Sequence, residues 1–245
     1  MEEIRRFSGL CSAFNGQERA RVGIGTLSEK TLHAVLKQFF EPDTAKHEVK
    51  VGRYIADIVN DSGIIEIQTR AFHALRPKLT AFLERGPVTV VYPIAHTKWL
   101  YWIDPESGAL TNKRKSPKTG SVYDAFYELY KIKPLLPHPN LTLCFPLIDV
   151  EEYRYLNEWS IDRKKGSSRC ERIPVALSDM VYLRSIADYR ALVPNPLPDA
   201  FTTRDFAHAA KLRQNAAQRV VHILHYMGVL VRTGKQGAFY EYQIK

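Results

Sequence analysis

Apolar and polar positions along the chain follow two different periods. SEKTLHAVLKQFF, from Ser28 to Phe40, places Leu32, Val35, Leu36, Phe39 and Phe40 on one side behind a serine start signal. Pro42 stops the pattern, so a helix is predicted. Three short extended segments follow: EVKVG (Glu48 to Gly52), YIADIVN (Tyr54 to Asn60) and IIEIQTR (Ile64 to Arg70), the last two joined by a hairpin-type loop, NDSG. AFHALRPKLTAFLERG returns to the helical period. Phe72, Leu75, Leu79, Phe82 and Leu83 form its stripe, Gly86 its close, and Pro77 lies inside it. VTVVYPIA and KWLYWID are strand-like again. The predicted order is α-β-β-β-α-β.

The flanks are less regular. The first 25 residues are poorly periodic and read as an irregular arm or a short helix. PESGALTNKRKSPKTG is a basic loop with Lys113, Arg114, Lys115 and Lys118. SVYDAFYELYKI is predicted as a helix and LTLCFPLIDVEEYRYL as a strand joining the same sheet. DRKKGSSRCER is a second basic loop, with Arg163, Lys164, Lys165, Arg169 and Arg172. Three prolines in PNPLPD mark residues 194–200 as a linker. Beyond it, 201–245 reads as a capped helix, a short break, a second helix from about Gln214 to Met227, and a hairpin with a Gly-bounded turn. That is the order of a winged helix-turn-helix. The chain thus divides into 1–193, the linker 194–200, and 201–245.

Two acids disturb the core pattern. Asp57 and Glu66 sit in the middle of runs of Ile, Val and Ala. An ionised carboxylate costs several kcal/mol to bury alone, so acids so placed are expected to bind something. Gln68 follows Glu66 by one strand period, and Glu29 opens the preceding helix, where it also suits the helix dipole. Carboxylates around one cavity are what Mg²⁺ takes, and a metal so held activates water on a phosphodiester. Solvent-facing strand acids are the plainer alternative. Glu48 and Asp61 are second-choice acids, Asp61 fitting the turn.

On Asp57 and Glu66-Ile67-Gln68, set in the α-β-β-β-α-β order, the chain resembles the PD-(D/E)XK nuclease superfamily of restriction endonucleases and junction resolvases, over roughly residues 26–104. The resemblance implies a restriction-endonuclease-like α/β fold with a mixed sheet. It also implies Mg²⁺- or Mn²⁺-dependent hydrolysis of DNA, with Asp57, Glu66 and Glu29 as metal ligands and Gln68 completing the catalytic set. Ala56 stands where the motif has proline, and Gln68 where it has lysine. Glutamine orients by hydrogen bonds but brings no charge. The alternative reading is therefore a non-catalytic DNA-binding or regulatory protein on a degenerate nuclease fold.

Charge agrees with a nucleic-acid partner. The chain has 35 Lys and Arg against 26 Asp and Glu, a net +9, which favours a polyanion. Expected contacts are Arg70, Lys113, Arg114, Lys115, Arg163, Lys164 and Lys165 to phosphate, with Arg76 a further candidate. Arg213, Gln214, Gln218 and Arg219 are expected on the second C-terminal helix, with Lys235 at the wing. Nucleases of this kind often cut duplexes as dimers, so a homodimer is a further expectation. Cys11, Cys144 and Cys170 form no CxxC pair and are expected as reduced thiols. The eight histidines show no HxH or HExxH spacing. Without an apolar run of membrane length or a leader, a soluble cytoplasmic protein with no membrane partner is expected.

Overall fold

The computed structural model describes residues 2–21, 28–104, 106–110, 113–158 and 166–245. In chain order its helices are α1 (Glu2–Arg21), α2 (Ser28–Phe40), α3 (Phe72–Leu83), α4 (Phe126–Leu129), α5 (Ile186–Arg190), α6 (Thr203–Ala209) and α7 (Gln214–Tyr226). Its strands are β1 (His47–Val51), β2 (Tyr54–Asn60), β3 (Gly63–Ile67), β4 (Val88–Val91), β5 (Ile94–Ile103) and β6 (Arg114–Lys115). They continue with β7 (Leu141–Glu158), β8 (Gly166–Leu183), β9 (Phe201–Thr202), β10 (Leu230–Gln236) and β11 (Phe239–Ile244). The order α2-β1-β2-β3-α3-β4 is the α-β-β-β-α-β run expected from the periodicity. The protein is α/β, with parallel and antiparallel pairing mixed.

Two compact units divide the chain. The first comprises Met1–Asp61, Pro93–Ser121 and Pro146–Met180. In it β1 pairs antiparallel with β2, β5 pairs parallel with β7 and antiparallel with β6, and β8 pairs with β7. The N-terminal segment is a full 20-residue helix rather than an arm. Phe7 and Cys11, four apart, give it a buried stripe. Phe7 meets Phe39 edge-on at 5.3 Å, and Arg6 donates to the Phe39 carbonyl at 2.8 Å. Burial pushes the Cys11 thiol up to about 12, so it packs as a neutral side chain.

The second unit comprises Ser62–Tyr92, Val122–Phe145 and Val181–Lys245. Its β3, β4 and the start of β7 form a parallel ladder, Glu66 facing Val90 and Val90 facing Leu143. Such ladders are apolar throughout, as Val88, Val90, Val91, Leu141, Leu143 and Cys144 are here. Gly63 opens β3 at φ 112°, and a Cβ there would stand 2.4 Å from the Pro87 carbonyl oxygen. Only glycine fits that approach. The segment predicted as one helix at 121–132 is instead a 3₁₀ turn (Val122–Ala125), the four-residue α4, and a second 3₁₀ run (Tyr130–Leu135). Pro134 lies inside that run and Ile132 leaves helical geometry, so an α-helix is not continued.

The helix, turn, helix, hairpin order expected for 201–245 is present, with β9 as third strand beside β11. These residues share a compact unit with β3, β4, α3 and α4, so the proline-rich 194–200 segment does not coincide with a boundary between the units. The second basic segment is also more regular than expected. From Gly166 on it belongs to β8, whereas 163–165 lie outside the described residues.

The start of α6 is closed by a capping box. Thr202 Oγ1 accepts from the Asp205 N–H, and Asp205 Oδ2 accepts from the Thr202 N–H at 2.8 Å. That backbone bond, then the Thr202 hydroxyl, hold the Asp205 carboxyl below its ordinary value of 3.8. Thr202→Ala is expected to lower stability by about 1 kcal/mol in urea denaturation. A depressed folded pKa adds stability above the unfolded value. The gap between the parent and Asp205→Asn is thus expected in full above pH 3.8 and to close as pH falls through the folded pKa.

Candidate functional site

The acids that opened the question lie in different units, each with its own cations. Asp57 is central on β2, between Ala56 and Ile58, both fully buried. By strand alternation Asp57 takes the opposite face from its neighbours. In the same unit, α2 brings His33 Nε2 to 3.3 Å of Asp57 Oδ2 and Lys37 Nζ to 3.6 Å of Oδ1. His33 and Lys37 are four residues apart and share a helix face. Lys37 also donates to Glu48 at 2.9 Å. Glu29 lies in the first turn of α2, but its side chain is outside the described residues.

Glu66 is 4% exposed on β3 and makes an ion pair with Lys78 of α3. Lys78 occupies an unusual place for a cation. It follows Leu75 by three and precedes Phe82 by four, within the apolar stripe, with its ammonium 5.6 Å from the Phe82 ring centre. Gln68 does not continue the strand. Strand β3 ends at Ile67, and the Gln68 amide side chain donates to the Arg70 carbonyl. Its backbone N–H still bonds the Val91 carbonyl at 2.9 Å. The backbone therefore holds position 68 while the side chain serves the turn into α3.

That turn is fixed from a distance. Ala71 precedes α3 at φ 59° and ψ 44° with no side-chain cap. The orphan Phe72 N–H is taken instead by Glu128 Oε2 of α4 at 2.8 Å, while Glu128 Oε1 accepts from Lys131 at 2.7 Å. At the other end Asn140 donates to the Leu83 carbonyl at 3.0 Å. Both ends of the helix carrying Lys78 are held by residues far along the chain.

The expected nucleic-acid contacts fall into two groups. Just before β6, Lys113 pairs with Glu151 of β7 at 2.8 Å and lies 4.9 Å from the Trp99 ring of β5. Its hydrogen bond to Glu151 raises the Lys113 pKa. Arg114 and Lys115 are exposed, Lys115 above the same indole. On α7, Gln214 ties back to Thr203 at 2.9 Å and Arg219 sits over Tyr127. Arg213 and Gln218 are exposed, as is Lys235, 5.0 Å from the Tyr240 ring. Arg70 is exposed; Arg163, Lys164 and Lys165 lie outside the described residues. His222 accepts from Lys133 at 2.9 Å, and burial, then that ammonium, lower its pKa. Among the described residues no three of His, Cys, Asp and Glu group as metal ligands, and no helix is long and apolar enough to cross a membrane. A cavity of about 200 Å³ lined by Leu136, Leu183, Tyr189 and Met227 contains none of the expected residues.

Sequence reading missed His33, Lys37 and Lys78. The signal for Lys78 is a lone cation inside an apolar stripe; for His33 and Lys37 it is an i, i+4 basic pair flanking Leu36.

An α/β architecture with partnered carboxylates on adjacent strands of the sequence is the class these features define. Residues 30–184 match the family described as Domain of unknown function (DUF8091), and the chain belongs to that family. It is similar to an uncharacterized protein of Treponema pallidum (strain Nichols), 30% identical over 191 residues, covering 75% of this chain and 73% of that protein. No solved structure matches. The matched span contains Asp57, Glu66 and Lys78 and ends before α6.

The Glu66–Lys78 pair is testable by a double-mutant cycle. Lys78→Met removes a donor from a buried carboxylate and is expected to cost about 1–3 kcal/mol of stability. Adding Glu66→Leu to Lys78→Met is expected to restore most of that loss, because a matched apolar pair leaves no charge stranded.

Proposed function

We propose that this protein is a metal-dependent nuclease acting on DNA phosphodiesters, with a helix-turn-helix and hairpin of winged-helix type assisting binding. The observation carrying the reading is the contact between Lys78 and Glu66. The sequence has Gln68 where a nuclease motif has lysine. Here α3 delivers an ammonium to the acid of the same Glu-x-Gln triplet, from 12 residues further on. The missing charge has a source.

Asp57 and Glu66 offer hard carboxylate oxygens, the donor chemistry of Mg²⁺ or Mn²⁺, which need only one or two carboxylates besides waters and substrate phosphates. Asp57, Glu66 and Glu29 are the acids proposed as metal ligands. When bound, the ion would lower the pKa of a water and neutralise charge on the phosphate. Lys78, held at Glu66, would offer its ammonium to a non-bridging phosphate oxygen. His33, oriented by Asp57, is a proton acceptor of suitable type for the attacking water.

A second reading draws on the same contacts. Asp57 is matched by Lys37 and His33, and Glu66 by Lys78, so the carboxylates are already balanced in a protein that binds nucleic acid without cutting it. The two separate in a cleavage assay on plasmid and linear DNA with Mg²⁺ or Mn²⁺. Nuclease function is expected to show as metal-dependent cutting that Glu66→Ala, Asp57→Ala and Lys78→Ala each reduce by about 10²-fold or more. A parent protein that binds DNA but leaves it intact under all conditions would establish the second reading. Cutting unchanged in the three variants would exclude these residues.

A further inference from the structure

In the first unit, the registers of β5, β6 and β7 sort their side chains onto two faces. Trp99 faces Glu151 and Tyr101 faces Tyr153, whereas Leu100 faces Glu152 and Trp102 faces Arg154. Partners in register share a face. On β6, Lys115 faces Trp99 and Arg114 faces Leu100, so strand alternation sends the consecutive basic residues to opposite sides. One side is packed: Tyr153, Ile103 and Ile173 form a buried cluster, with Tyr101 stacked on Tyr153 at 4.9 Å. Lys113 closes over it through Trp99 and Glu151.

The other side is cationic. Lys98, Arg114 and Arg154 lie on it beside Leu100 and Trp102, and Arg172 of β8 joins Arg154 at the 1% exposed Glu152. Arg154 donates twice to Glu152 Oε1, at 2.8 and 2.5 Å, and Arg172 donates to Oε2 at 2.8 Å. Burial alone would raise the Glu152 carboxyl, but these guanidiniums outweigh it and hold it ionised. Arg172, Lys118 and Arg154 repel the Lys98 ammonium, and Glu152 attracts it. Burial, first, lowers the Lys98 pKa, and those cations add to it against the opposing pull of Glu152. Glu152 acts as an internal anchor. It fixes two planar guanidiniums at one face.

Taking nucleic acid as the partner, as under the proposed function, we infer that this face of β5, β6, β7 and β8 is a binding surface for a single-stranded nucleic-acid segment. Lys98, Arg114, Arg154 and Arg172 take its phosphates, and Trp102 stacks a base. A row of fixed guanidiniums suits phosphate oxygens, because each offers paired N–H donors in a plane. The aromatic and aliphatic side chains between the cations decide for a single strand. Indole stacking requires an exposed base face, which a duplex withholds. None of the four cations belongs to the acid sites at Asp57 and Glu66.

The test is fluorescence anisotropy with a labelled single-stranded oligonucleotide of about 16 nucleotides. It is run with EDTA in a Glu66→Ala background, so that no cleavage enters. Salt is varied from about 50 to about 200 mM. Lys98→Gln and Arg114→Gln are each expected to flatten the slope of log affinity against log salt by about 0.7. Trp102→Leu is expected to weaken binding by about fivefold or more with the slope unchanged. Lys50→Gln, the same charge change on β1, is expected to alter neither. Arg154 and Arg172 are left in place, since removing either would strand the Glu152 carboxylate. Parent-like affinity and slope in Lys98→Gln and Arg114→Gln overturns the surface. Tighter binding of duplex than of single strand overturns its assignment to single strands. Failure of cleavage with this binding intact counts against the nuclease and not against the surface.

Discussion

Carboxylates taken out of water organise much of this molecule. Glu41, Glu66, Glu128 and Glu152 are each less than a tenth exposed. Removing such a group from water costs several kcal/mol unless donors meet it. Every one is met by another part of its unit. Glu41 accepts from Asn60 and the Asp43 N–H, and the latter, first, lowers its pKa. Glu66 is met by Lys78, Glu128 by Lys131 and the Phe72 N–H, and Glu152 by Arg154 and Arg172. At each of the four, at least one partner comes from a different element, so the ladder and helices are held by charge as well as by apolar contact.

The same constraint shapes the candidate chemistry. A lysine on the solvent side of α3 would be mobile and hydrated. Lys78 instead sits within the stripe that packs the helix, with a fixed partner in Glu66. Glu128 and Asn140 hold both ends of that helix, so the position of the ammonium is set by residues 50 and more places away. A similar economy operates on the cationic sheet face, where one buried carboxylate orients two guanidiniums. In both places an internal ion pair presents charge without relying on long, freely rotating side chains.

Legibility from sequence followed the strength of the periodic signal. The stripe of α2, the strand β2 and the stripe of α3 stand where the apolar pattern put them, because each buries one whole face. The pattern was least informative where burial is partial or backbone geometry intervenes. Only Phe7 and Cys11 are buried among the described side chains of α1, so its length left little trace. Pro134 and Ile132 break what looked like one helix. On β8 the cation Arg172 lies next to the buried Ile173, and a basic, serine-rich sequence gives no apolar alternation to mark it as a strand.

The sequence by itself determined the α-β-β-β-α-β order, the basic balance, and the presence of two acids amid apolar strands. Those features depend on neighbours within a few residues, which local period and charge encode. Only the tertiary structure decided which cation meets which acid, and that Gln68 turns away while Lys78 comes in. It alone set Arg114 and Lys115 on opposite faces of one sheet. Contacts between residues 12 to 56 positions apart depend on register and helix ends, and no local pattern carries that information.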